Sequence, residues 1–188
     1  MKLMIIGVGK LGSQVAFVTM LKNRPEKIVL SDRKDLNGDI LDLQHAAIGL
    51  GLKTIITDKR EPVDFIIVTT GMANTPVFGD EKALAPFNEQ ILKKIDITEC
   101  TKPGTVLIMM TNPVYEMTNL AKKLWSELKV VNPEDELLKI RGGKDCGWEI
   151  IKTKGYTNFG AAVSAALLIE KLVISSSNKE HEANQVLP

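Results

Sequence analysis

Gly7-Val8-Gly9-Lys10-Leu11-Gly12 has the form G-x-G-x-x-G. It follows the apolar run Lys2–Val8 and opens onto Leu11, Val15, Val18 and Leu21, which recur at helical spacing. In a strand–turn–helix setting each glycine has a physical task. Gly7 permits the tight turn, Gly9 lets the backbone approach a diphosphate, and Gly12 lets the helix pack close to the strand. A diphosphate held there would meet free N–H groups at a helix N-terminus and the favourable end of the helix dipole. Asp32 closes a second apolar run about twenty residues on, where a carboxylate accepts hydrogen bonds from ribose hydroxyls. The chemistry implied by Gly7 to Gly12 and Asp32 is dinucleotide binding. A carboxylate at that place repels a 2′-phosphate, which favours NAD over NADP; Arg33 and Lys34 are the neighbouring cations able to pair with such a phosphate instead.

Two more segments belong with the glycine turn. Thr69-Thr70-Gly71-Met72 and Thr111-Asn112-Pro113 each end an apolar run, at the strand edge where doubly wound sheets bind ligands. Thr70, Gly71 and Met72 are therefore expected beside the nucleotide. Asn112 is positioned to hydrogen-bond a nicotinamide ribose or a substrate, and reads equally as a turn residue before proline.

Groups for acid–base or carboxylate-binding chemistry are scarce. The histidines are His45, inside a helical stretch, and His181, in a polar C-terminal segment. The arginines are Arg24, Arg33, Arg60 and Arg141. Cys100 and Cys146 are far apart, without metal-ligand spacing, and are expected to be reduced and inert.

The elements that must position these residues alternate strand and helix. Lys2–Val8, Lys27–Ser31, Thr54–Thr57, Asp64–Thr70 and Thr105–Met110 read as five strands, largely apolar without alternation, as expected of strands covered on both faces. Leu36–Leu50 reads as a helix with Ile40, Leu41, Leu43, Ala47 and Leu50 inward, and Val114–Lys129 as another. The expectation is an α/β, Rossmann-like doubly wound parallel sheet of order 3-2-1-4-5, because parallel neighbours need crossover connections. Asn132–Glu136 reads as a linker, dividing a dinucleotide-binding domain, 1–131, from a mainly helical segment, 132–188. That segment is expected to run helical from Cys146 to Ile174, with breaks near Gly155 and Gly160, and to fray beyond Ser175.

Hydrophobic residues make up 44% of the 188-residue chain and charged residues 25%, an ordinary globular balance. The net charge of +1 gives no field directed at nucleic acid or an anionic membrane. Unbroken apolar runs such as Phe65–Val68 and Val106–Met110 are too short to span a bilayer, and no signal peptide precedes the first strand, so a cytoplasmic protein is expected.

Taken in order, GVGKLG, Asp32, DILDLQHA (Asp39–Ala46), TTGM and MTNPV resemble the nucleotide domain of the L-lactate/malate dehydrogenase family. Gly147–Ala166, with its KGYT, resembles a helix of that family's C-terminal domain, and the loop Gly71–Ile91 looks most like the 2-hydroxyisocaproate dehydrogenase branch. The resemblance implies NAD as cofactor, hydride transfer between a 2-hydroxy acid and a 2-oxo acid, and association into homo-oligomers. It also implies a catalytic histidine with its aspartate, an arginine for the substrate carboxylate and a loop arginine that polarises the carbonyl. By the same likeness this chain is internally shortened between Lys129 and Arg141 and truncated after the KGYT helix, so the sixth strand and those catalytic groups are expected to be missing. Glu81 falls where the loop arginine would stand, Thr157 matches a residue lining the substrate pocket and reads otherwise as a helix residue near Gly155, and His45 matches a non-catalytic position, expected to be a structural or partly buried helix residue. A carboxylate at Glu81 opposes the negative charge of a developing alkoxide.

Three readings follow. One is an NAD-binding protein with little or no dehydrogenase activity. Another is a dehydrogenase rewired around His181, Lys82 and Asn112. The third is an assembly module whose apolar faces near Val163, Leu167, Leu168 and Leu172, and whose open edge at strand five, need a partner.

Overall fold

The computed structural model describes residues 1–72, 81–144 and 146–185. They form a six-stranded, wholly parallel sheet of order β3-β2-β1-β4-β5-β6, with β1 at Lys2–Ile6, β2 at Lys27–Ser31, β3 at Ile55–Thr57, β4 at Phe65–Val68, β5 at Val106–Met109 and β6 at Lys129–Val131. The doubly wound arrangement expected from the alternation is present. The strand count corrects that expectation, because Val106, Leu107 and Ile108 pair in parallel with Lys129, Val130 and Val131. The edge of β5 is therefore covered by this chain's own strand.

Strand residues divide by parity between two apolar layers. Leu3, Ile5, Ile28, Leu30 and Ile67 face one layer with Val15, Ala16 and Met20 of α1 (Gly12–Asn23) and Leu43 and Ala47 of α2 (Asn37–Gly49). Met4, Val29, Ile66, Leu107 and Met109 face the other, with Leu92 of α3 (Ala85–Leu92) and Met117 and Ala121 of α4 (Val114–Leu124). A strand residue and its neighbour point to opposite faces, so burial on both faces requires the unbroken apolar runs seen in the sequence.

The helices after β6 depart from expectation. Within Asn132–Glu136, Asn132 Oδ1 accepts the Glu134 N–H at 3.2 Å, and α5 runs Glu134–Ile140. Three acidic residues in the first turn of α5 suit the positive end of its dipole. α6 (Gly147–Lys154) ends at Gly155, whose φ of +86° is a left-handed helix cap that glycine adopts without strain. α7 then runs Phe159–Gln185, so Gly160 interrupts nothing and the helix continues ten residues past Ser175.

α7 packs on α1. Ala162, Ala165 and Ala166 are fully buried, small enough for close approach of the two helices. Asn23 Nδ2 donates to the Ala166 carbonyl at 3.1 Å, and Lys22 pairs with Glu170 at 2.9 Å. Leu168 and Leu172, expected to await a partner, pack against the same core. Phe159–Ser176 is long and apolar enough to cross a bilayer by length and composition, which a search for unbroken runs overlooks. Its alanine face is buried on α1, but only 28% of that stretch is buried, and Phe159, Val173 and Ile174 are exposed.

Candidate functional site

The carboxyl ends of β1, β4 and β5 and the turn after α6 enclose a cleft of about 400 Å³, lined by Gly9, Lys10, Leu11, Thr69, Gly71, Met72, Met110, Thr111, Asn112, Ile151, Gly155, Tyr156 and Thr157. The fold thus gathers most of the residues singled out from the sequence. Gly7, Val8 and Gly12 stand behind this lining as its support.

The glycines act as their spacing requires. A Cβ on Gly12 would lie 1.8 Å from the Gly7 carbonyl oxygen, and one on Gly7, at φ +96°, 2.5 Å from the Thr70 amide nitrogen. A Cβ on Gly9 would meet nothing within 4 Å, so the protein itself has no need of glycine there. Open space over an exposed backbone turn at a helix start is what a diphosphate requires.

Asp32 stands at the carboxyl end of β2 and has a second task. Its Oδ2 accepts the Val8 N–H at 2.6 Å and its Oδ1 the Arg33 N–H at 2.6 Å. The carboxylate anchors the glycine turn while its side chain remains exposed. Thr69 Oγ1 donates to the Gly7 carbonyl at 2.6 Å, tying the end of β4 to the same turn.

Asn88 is the residue that sequence reading missed. It lies on α3, is fully buried, and bridges the two remaining strand ends. Its Oδ1 accepts the Met72 N–H at 2.6 Å and its Nδ2 donates to the Asn112 carbonyl at 2.6 Å. Thr111 Oγ1 donates to the Thr70 carbonyl at 2.7 Å. A Cβ on Gly71 would lie 2.7 Å from Thr111 Cγ2 and 3.1 Å from Asn88 Oδ1, so Gly71 is required by this clamp. The only sequence signal was a polar residue within an otherwise amphipathic helical turn.

Thr157 does reach the cleft, brought there by the Gly155 turn. Beside it the Tyr156 ring lies under two ammonium groups, Lys10 Nζ at 4.2 Å and Lys154 Nζ at 4.9 Å from its centroid. His45 is exposed on α2, not partly buried as expected. His181 lies on α7, about 33 Å along the axis from Phe159 at 1.5 Å per residue. Residues 73–80, part of the loop Gly71–Ile91 likened to the 2-hydroxyisocaproate branch, fall outside the described residues. Among the described residues no histidine, arginine or carboxylate lines the cleft.

Residues 1–131 match the family model described as lactate/malate dehydrogenase, NAD binding domain. The chain belongs to the lactate/malate dehydrogenase family. Its cofactor is NAD, the ligand of that domain. The L-lactate dehydrogenase C chain of Xenopus laevis is 25% identical over 243 aligned positions, covering 91% of this chain and 72% of the relative. The alignment is longer than the chain's 188 residues, so that dehydrogenase carries residues within the aligned region that have no counterpart here. Malate dehydrogenase from Dehalococcoides mccartyi is 29% identical over 131 residues, covering 65% of this chain and 42% of the relative. Among solved structures, malate dehydrogenase from Archaeoglobus fulgidus in complex with NADH superposes with a TM-score of 0.76 at 24% identity, over 92% of this chain and 78% of that one. This last likeness concerns the fold.

Proposed function

We propose that this dehydrogenase-family chain binds NAD(H) in the cleft and carries out hydride transfer to 2-oxo acids slowly or not at all. The observation that carries the reading is the combination of an intact phosphate turn, open over Gly9, with a cleft that no histidine, arginine or carboxylate lines among the described residues. In this reading Val8, Gly9, Lys10 and Leu11 hold the diphosphate, Asp32 the adenosine ribose, and Thr70, Gly71, Met72 and Asn112 the nicotinamide half. Thr157 and Asn112 face any 2-oxo or 2-hydroxy acid that enters. NAD bound there would supply a hydride acceptor and donor. Reduction of a 2-oxo acid also needs a proton for the new hydroxyl and positive charge beside the carbonyl oxygen. Lys10 is the one ammonium among the described lining residues, and Tyr156 the one ionisable hydroxyl.

Residues 132–188 are, on this view, what remains of the substrate domain, docked through α7 onto α1, and the protein works in the cytoplasm. NADH oxidation measured against a panel of 2-oxo acids tests the reading. The expected rate is far below the roughly 10 s⁻¹ of a median enzyme, and a rate at that level would overturn it.

Self-association is favoured by a separate observation. Leu41, Ile48 and Leu50 on and after α2 are 53%, 74% and 50% exposed, and Ile55 on β3 is 54% exposed. Sedimentation as a homo-oligomer would support an assembly role; a monomer at high concentration would remove it.

A further inference from the structure

The Tyr156 ring lines the same cleft as Gly9 and Lys10 of the glycine turn, and two cations share it. Their situations differ. Lys154 is fixed from several sides: its ammonium donates to Asn158 Oδ1 at 2.6 Å and lies 4.0 Å from the centroid of Phe159. Lys10 rests on Tyr156, and no carboxylate among the described residues pairs with it. Lys154's hydrogen-bond partner is a neutral amide. Two positive charges therefore converge on one aromatic ring without a counter-ion among the described residues, and Lys10 adjoins the open space over Gly9. An ammonium on a ring face at an exposed site is held weakly, whereas an ammonium–phosphate hydrogen bond is among the stronger polar contacts.

We propose that Tyr156 is a positioning residue, holding the ammonium of Lys10 across the mouth of the cleft where it meets the diphosphate. This deepens the NAD-binding reading and rests on it. The backbone N–H groups of the glycine turn supply dipoles; Lys10 adds the full positive charge that faces the diphosphate. When the cofactor enters, the Lys10 ammonium exchanges the ring for a phosphate oxygen. Tyr156 keeps the four-carbon stem extended towards the cleft rather than free in solvent, so less side-chain entropy is lost on binding. The same contact links the Gly155–Thr157 turn to cofactor occupancy.

The test is calorimetric titration of the full chain with NADH and with ADP-ribose, which keeps the diphosphate and lacks the nicotinamide. Lys10→Gln is expected to weaken both about tenfold, the scale of one charge-assisted contact. The loss should shrink as salt is raised, because the contact is solvent-accessible. Tyr156→Leu is expected to weaken both several-fold and Tyr156→Phe to restore wild-type affinity, since the ring and not the hydroxyl does the positioning. Urea midpoints checked alongside should stay within error of the wild type for Lys10→Gln. If the wild type binds NADH and Lys10→Gln binds it equally well at low salt, the role of Lys10 is overturned while the NAD-binding reading stands. If Tyr156→Leu matches the wild type, the positioning role falls. If the wild type fails to bind NADH at millimolar concentration, the parent reading falls and this one with it.

Discussion

Replacing Asn88 with Ala removes the clamp between the carboxyl ends of β4 and β5 and leaves nothing of similar shape to take its place. Two hydrogen bonds among the described residues are lost, the Met72 N–H to Oδ1 and the Nδ2 to the Asn112 carbonyl, both 2.6 Å. A buried donor or acceptor left unpaired costs about 1–3 kcal/mol. Met72 is 39% exposed and Asn112 only half-buried, so water can reach both groups and the low end of that range applies to each. The expected destabilisation is about 2–3 kcal/mol, including the small void left by the amide. With a urea slope of about 2 kcal/mol/M for a chain of this size, the unfolding midpoint should fall by roughly 1 M. Asn88→Asp sharpens the test. It preserves an acceptor for Met72 and places a carboxylate oxygen against the Asn112 carbonyl, so it should be at least as destabilising although nearly isosteric. NADH affinity should fall in both variants, because Gly71, Met72 and Asn112 all lose their mutual register. A midpoint shift below about 0.2 M in Asn88→Ala, with NADH affinity retained, would refute the reasoning.

Gly9→Ala and Gly12→Ala should separate ligand need from fold need. The first meets no atom within 4 Å and should leave the thermal midpoint unchanged while weakening NADH; the second puts a Cβ 1.8 Å from a carbonyl oxygen and should destabilise the fold by several kcal/mol in thermal melts. A thiol reagent should modify Cys146 in the native protein and Cys100 only on unfolding, since burial pushes the Cys100 thiol up and shields it; mass spectrometry after brief labelling reads the difference. Glu136, whose pKa is held below its ordinary value by the hydrogen bond from Lys171 with help from Lys139, ties α5 to α7. A lowered folded-state pKa gives stability that is complete above the ordinary value and lost as pH falls through the folded one. The stability gap between wild type and Glu136→Gln in urea melts should therefore be present at pH 7 and close on acidification below about pH 4.5.

Much of the sheet was legible because parallel strands buried on both faces must be apolar throughout. Phe65–Val68 and Val106–Met109 announce themselves that way. β6 did not, because Leu128 just before it extends the helical spacing of α4 and merges the two in the sequence. The helix in fact stops at Trp125, whose φ of −128° and ψ of +63° turn the chain towards β6. α3 went unread because a single short helix between β4 and β5 shows too few turns for its period to stand out. On α2, Leu41 and Leu50 were expected inward and are exposed; the helix contacts the core along a narrow stripe centred on Leu43 and Ala47.

Gly7 and Gly12 were legible at residue level because their steric demands are local, within one strand–helix junction. Asp32 was read for a ribose, and its hold on the Val8 N–H was invisible because that bond spans two strands. Asn88 and Tyr156 were hidden for the same reason. Their partners, Met72, Asn112 and Lys10, become neighbours only after the sheet has formed.

The central claim is that the cleft over Gly9 holds NAD(H). The most direct measurement is a calorimetric titration of the wild type and Gly9→Ala with NADH, with NADPH as comparison. The account predicts saturable binding by the wild type, preference for NADH because Asp32 repels a 2′-phosphate, and a marked loss of affinity in a Gly9→Ala variant that melts like the wild type. Absence of binding by the wild type at millimolar NADH, or equal binding by a folded Gly9→Ala, would contradict it.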